Sequence, residues 1–86
     1  MRLIVNILDN KVKLDLFDRN KDIDSLNWED NNSMSRLLLE KIDKLLRRNG
    51  IALDKISDYK IISKVPKKYT SYRIAEITLK SLIMVK

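Results

Sequence analysis

The sequence predicts an α+β domain: a mixed sheet of four strands carrying two helices, in the order strand, strand, strand, helix, strand, helix. Three observations carry this. Between Arg2 and Trp28 lie three strand-like runs separated by short turn-forming stretches. After Ser33 the apolar spacing changes from alternation to a helical period that stops at Asn49-Gly50. A fourth apolar run, Tyr59–Val65, then leads through a proline-containing loop into a last helix that opens at Thr70 or Ser71.

Each element has a local reason. Arg2 to Leu8 (RLIVNIL) is a near-continuous apolar run, which suits a central strand buried on both faces. Asp9-Asn10 is a turn signal. Val12, Leu14 and Leu16 alternate with Lys11, Lys13 and Asp15, giving a half-exposed strand that ends at Phe17. Asp18-Arg19-Asn20-Lys21 is a second turn, and Ile23–Trp28 a weaker third strand with Leu26 and Trp28 on one side. Tight turns of this kind make the three an antiparallel meander. Asn32 or Ser33 can cap the next helix, because a side-chain oxygen there satisfies a free backbone N–H. That helix runs from about Met34 to Asn49, with Leu38, Leu39, Ile42, Leu45 and Leu46 in one broad stripe and Leu37 off it. Lys44, Arg47 and Arg48 fall in its last turn, where positive charge suits the helix dipole. Gly50 supplies the left-handed stop. Ile51–Asp58 is a connection with room for one helical turn over Leu53–Ile56.

The last helix is unusual in its patterning. At about 100° per residue, Tyr72, Ala75, Leu79, Leu82 and Ile83 fall on one side, and Ile74, Ile77, Met84 and Val85 on nearly the opposite side. Arg73, Glu76 and Lys80 form the narrow polar band. A helix that is apolar nearly all round is normally covered on two sides. The chain's own sheet supplies one cover; the second is expected from a partner.

Composition excludes several classes. The chain of 86 residues is a single domain, 1–86, with a modest core. It has no cysteine and no histidine, which removes disulfide scaffolds, thiolate metal sites, and the commonest general base and metal ligand. MRLIVNIL is too short for a signal peptide, and no apolar run approaches a membrane span; the expected setting is cytoplasmic, with no membrane partner. The opening Met and the lack of a tag disfavour a truncated piece of a longer protein. The net charge of +6 favours acidic partners such as RNA, but acids and bases are mixed along the chain, as on a solvated surface. Only Lys64, Lys67, Lys68 and Arg73 cluster around one loop; they are the candidate RNA or phosphate contacts, with Tyr69 and Tyr72 available to stack on bases. Asp15, Asp18, Asp22 and Asp24 follow strand and turn alternation and show no EF-hand pattern, so no metal site is expected. No nucleophile has a base beside it, which excludes a catalytic triad.

Longer patterns resemble a known family. The element order is that of the first half of the ribonuclease H-like fold used by actin-like ATPases. Val65-Pro66-Lys67-Lys68-Tyr69-Thr70-Ser71-Tyr72-Arg73-Ile74-Ala75 resembles the GPGSFTGLRIG pattern of the tRNA threonylcarbamoyladenosine biosynthesis protein TsaB family; Pro66, the aromatic Tyr69, Thr70, Arg73 and Ile74 hold, and Lys80 matches the lysine of the following helix. Leu38, Leu39, Ile42, Asp43, Leu45, Leu46 and Gly50 keep the spacing of that family's RLLPLIDELLKEAGL helix, and Leu14-Asp15-Leu16-Phe17-Asp18 stands where the family has VALFD. The resemblance spans essentially the whole chain and only the amino-terminal lobe of the family's usual protein. The departures fall on chemistry. The family's DTST is here Asn6-Ile7-Leu8-Asp9, and the glycines of GPGSFTG are Val65, Lys67 and Ser71. Backbone close to a phosphate generally needs Gly, so nucleotide binding is not expected and neither is a cofactor.

The resemblance therefore implies a single ribonuclease H-like lobe that is not an enzyme. It implies a TsaB-like scaffold or activator, pairing through its two helices with a TsaD-like catalytic subunit that modifies adenosine 37 of tRNA, with tRNA contacted indirectly. The expected interface is Leu38, Ile42, Leu45, Tyr72, Ala75, Glu76, Leu79 and Ile83. Two alternatives stand beside it: a homodimer through the same helices, and a stand-alone basic RNA-binding domain.

Overall fold

The structure is a computed structural model and describes residues 1–8, 11–29, 34–63 and 70–84. The Asp9-Asn10 turn, the Asn32 or Ser33 cap, the end of the fourth strand at Lys64–Val65, and the loop carrying Lys67, Lys68 and Tyr69 lie outside the described residues, as does Val85.

Four strands, β1 (Arg2–Ile7), β2 (Lys11–Asp18), β3 (Lys21–Glu29) and β4 (Asp58–Ser63), form one sheet in the order β3-β2-β1-β4. β1 pairs antiparallel with β2 and parallel with β4; β2 pairs antiparallel with β3. The predicted meander and its parallel return are thus both present. Helices α1 (Met34–Arg48) and α2 (Thr70–Leu79) complete the predicted order, with a 3-10 turn over Leu53–Lys55 in the connection. Lys80–Met84 continues α2 as a π-helical turn, which the sequence did not announce.

Alternation along the strands decides the layers. Leu3, Val5 and Ile7 of β1 stand beside Leu16, Leu14 and Val12 of β2, and all six are buried. They form one floor. Leu38, Ile42, Leu45 and Leu46 from α1, Ala75 and Leu79 from α2, and Ile83 from the π turn close over it. α1 lies over β2 and β3, α2 over β1 and β4. Both helices are therefore on the same side, and burying each such aliphatic side chain contributes about 1.5–3 kcal/mol.

The other face of the sheet carries no element among the described residues. Register places Asn27, Lys13, Asn6 and Ile62 in one row across it, Ser25, Asp15, Ile4 and Lys60 in the next, and Asp22, Phe17, Arg2 and Asp58 in a third. Charges of both signs fill half of these positions, as suits a solvated sheet face, with Ile4, Phe17 and Ile62 the apolar residues among them. β1 is thus not buried on both faces as expected: its helix side is fully covered, while Ile4 and Asn6 on the other side are only half-buried.

Two devices fix α1 against the sheet. At its C-terminus Gly50 has φ 65, its N–H donates to the Arg47 carbonyl at 3.1 Å, and the Ile51 N–H donates to the Leu46 carbonyl at 2.9 Å. This pair of bonds is a Schellman motif, with apolar Ile51 and Leu46 at the positions that commonly touch. Beyond it, the Arg48 guanidinium forks onto Asp24 of β3, Nε to Oδ2 at 2.8 Å and an NH2 group to Oδ1 at 2.7 Å, and also donates to the Ser25 carbonyl at 3.2 Å. Asn49 donates to the same carboxylate at 2.8 Å. Arg48 and Asn49 hold Asp24 well below the usual carboxylate range, at about 2.

Candidate interaction face

Covering the sheet uses up most of the residues expected to meet a partner. Leu38, Ile42, Leu45, Ala75, Leu79 and Ile83 are all 3% exposed or less. Tyr72 is half-buried against the same core, and Glu76 is exposed. Six of the eight residues expected at the interface therefore belong to the core of the isolated chain. On α1 the single apolar stripe turns to the sheet, and on α2 a helix apolar all round gives no polar stripe to say which side turns inward. In α2 the Ala75–Leu79–Ile83 side covers the sheet, leaving Ile77 63% exposed. In α1, Leu39, placed within the stripe by its spacing, stands at the edge of the covered face and is 43% exposed.

What this side presents outward is a shallow apolar groove between α1, the 3-10 turn and the π turn that continues α2. Its volume is about 210 Å³, and it is lined by Leu39, Ile42, Asp43 and Leu46 of α1, Leu53 of the 3-10 turn, and Leu82 of the π turn. Leu53 was legible only as part of a connection. Leu82 reaches the groove from the π-helical turn, whose widened geometry no apolar period announces. At the rim Asp43 accepts from Arg47 Nε at 3.1 Å, an exposed i, i+4 pair of little energetic weight. Apart from Asp43, whose carboxylate is paired with Arg47, the lining is aliphatic, which suits an apolar side chain.

The positions that the resemblance aligns with phosphate chemistry are spent otherwise. Asn6 donates to Asp15 Oδ2 at 3.4 Å, and Ile7 is in the core. Asp15 itself is buried on the sheet face away from the helices, with Lys13 Nζ 3.7 Å from Oδ1. Burial pushes its carboxyl up from the ordinary value; Lys13 opposes the shift and Asp22 adds to it. Among the described residues no three acidic side chains come together to hold a metal ion. Of the candidate RNA contacts, Arg73 is exposed on α2, while Lys64, Lys67 and Lys68 lie outside the described residues. No described helix is long and apolar enough to cross a membrane.

Strand order, the single parallel return and two helices on one side define this chain as a single ribonuclease H-like lobe. Among solved structures it is similar to YeaZ from Pseudomonas aeruginosa, with a TM-score of 0.77 and 20% identity over 94% of this chain and 37% of that one. A second structure, described as an uncharacterized protein with similarity to peptidase YEAZ from Pseudomonas aeruginosa, matches with the same TM-score, identity and coverage. YeaZ is also called TsaB, so the likeness in fold falls on the family that the sequence resembles. At this identity the likeness is one of fold, and the chain spans 37% of the length of those proteins. No protein-family model and no curated protein matches the chain.

Proposed function

We propose that this chain is a non-catalytic, TsaB-like partner subunit that docks onto a TsaD-like enzyme of tRNA threonylcarbamoyladenosine modification through the outward faces of α1 and α2. The observation that carries the reading is the apolar groove between α1 and the π turn together with Ile77, the most exposed large apolar side chain among the described residues. Leu39, Ile77 and, from the 3-10 turn, Leu53 are three of the six exposed large apolar side chains among the described residues, and apolar surface on a helix pair is what a helix-bundle interface uses. The fold likeness to YeaZ supports the family, and the spent phosphate positions Asn6 and Ile7 support a scaffold over an enzyme. Such a subunit acts by binding one conformation of its partner better than another.

Co-expression with the TsaD-like protein of the same genome tests this. A heterodimer should co-purify with the wild-type chain, and Leu39→Glu with Ile77→Glu should abolish it while the circular dichroism of the isolated subunit is unchanged. A complex that survives both substitutions, or no complex at all, would overturn the reading. A homodimer lost through the same substitutions, with no TsaD-like partner captured, would assign the face to self-association instead.

A further inference from the structure

A second cavity lies at the end of the sheet where β1 and β4 begin. Its volume is about 570 Å³, and its walls are Met1, Arg2, Asp18, Arg19, Asn20, Ser57 and Asp58. The fold gathers these from three distant places. Antiparallel pairing sets the end of β2 beside the start of β1, and parallel pairing sets the start of β4 there too. Most of the wall is tied down. The Ser57 N–H donates to the Met1 carbonyl at 3.0 Å, and Arg2 pairs with Asp58 at 3.0 Å.

Arg19 is different. It sits in the two-residue connection between β2 and β3 with φ 60, the one non-glycine residue in the left-handed region among the described residues. An L side chain there costs about 1–2 kcal/mol, and Gly or Asn is the usual choice. Its guanidinium enters no ion pair among the described residues. Arg19 thus lines the cavity with a forked cation that no described carboxylate neutralises, the group that binds oxyanions bidentately. Asn20 and Ser57 add neutral hydrogen-bonding groups. Asp18 lines the same cavity and selects against bare anions, so the ligand must also bring a hydroxyl or amino donor.

We propose that this cavity binds a small phosphorylated molecule bearing such a donor, its phosphate held by the Arg19 guanidinium and its donor by Asp18. The site is separate from the helix face, so its fate is independent of the partner reading. The same phosphate chemistry is offered by a free nucleotide and by an RNA backbone. The test follows the backbone amides of Arg19, Asn20 and Asp58 by ¹⁵N NMR during titration with AMP, inorganic phosphate and a short single-stranded RNA. AMP should shift them saturably and more tightly than inorganic phosphate, and Arg19→Gln should weaken AMP binding by roughly tenfold or more. Asp18→Asn should reverse the preference by strengthening inorganic phosphate. Shifts of the same amides by RNA alone would assign the phosphate to a nucleic acid and overturn a small-molecule site. Amides silent to all three probes, or AMP affinity unchanged in Arg19→Gln, would overturn the proposal entirely.

Discussion

Three side chains carry measurable consequences of their own. Arg19 holds a positive φ without the freedom of glycine. Arg19→Gly should therefore raise stability by about 1 kcal/mol, read as a higher urea midpoint with an unchanged slope. Asp24 is the carboxylate clamped by Arg48 and Asn49, with its pKa lowered to about 2 from 3.8. The sign follows from linkage: the ionised form is favoured in the folded state, so the contribution is present above pH 3.8 and is lost as pH falls toward 2. Asp24→Asn should lower the melting temperature at neutral pH, and the difference from wild type should shrink across that window. Asp15 behaves oppositely. Its carboxyl is pushed up by burial, so ionising it at neutral pH costs stability, a cost absent below pH 3.8, where both folded and unfolded forms are protonated. Asp15→Asn should raise the melting temperature at neutral pH and lose that gain in acid. An unchanged difference across pH in either variant would contradict the assignment.

Elements were legible where the sequence carries a local rule. The Asn49-Gly50 stop predicted the end of α1, and the structure shows the reason in the two bonds of the Schellman motif and Gly50 at φ 65. A Cβ added at Gly50 would meet no atom within 4 Å, so Gly50→Ala tests conformation alone. It should cost about 1 kcal/mol, with Gly50→Asn costing less. Alternation of Val12, Leu14 and Leu16 likewise placed β2 and its buried face. The third strand's irregularity was not legible: pairing slips between Leu16 and Phe17, so Asp24 and Asp22 oppose them and Ile23 is the extra residue. The rotation of α2 was not legible either, because its apolar residues surround the axis and only the sheet decides which of them turn inward. The corrected rotation has a sharp consequence. Leu79→Lys places a charge in the core and should unfold the chain, whereas Ile77→Lys should leave its melting temperature nearly unchanged; Leu38→Ala should cost about 2–5 kcal/mol.

At the scale of the molecule, the two sides of the sheet have different tasks. One is roofed by both helices, and there Leu39, Ile77 and, from the 3-10 turn, Leu53 stay in contact with solvent. The other is a charge-balanced face on which Lys13, Lys60 and Arg2 alternate with Asp15, Asp22 and Asp58. Two surfaces are thus available for a partner, one helical and one strand-built, and the proposed docking face is the first. The likeness to a chain of which this one spans 37% fixes the fold without fixing that choice. Isoleucine side chains report on both surfaces at once, since Ile77 lies on the helix side and Ile4 and Ile62 on the bare sheet side. The most direct measurement is the methyl NMR spectrum of the isoleucine-labelled chain as an unlabelled TsaD-like subunit is added. Docking through the helices predicts that the Ile77 methyl shifts while those of Ile4 and Ile62 stay in place; movement of Ile4 and Ile62 with Ile77 silent would contradict it.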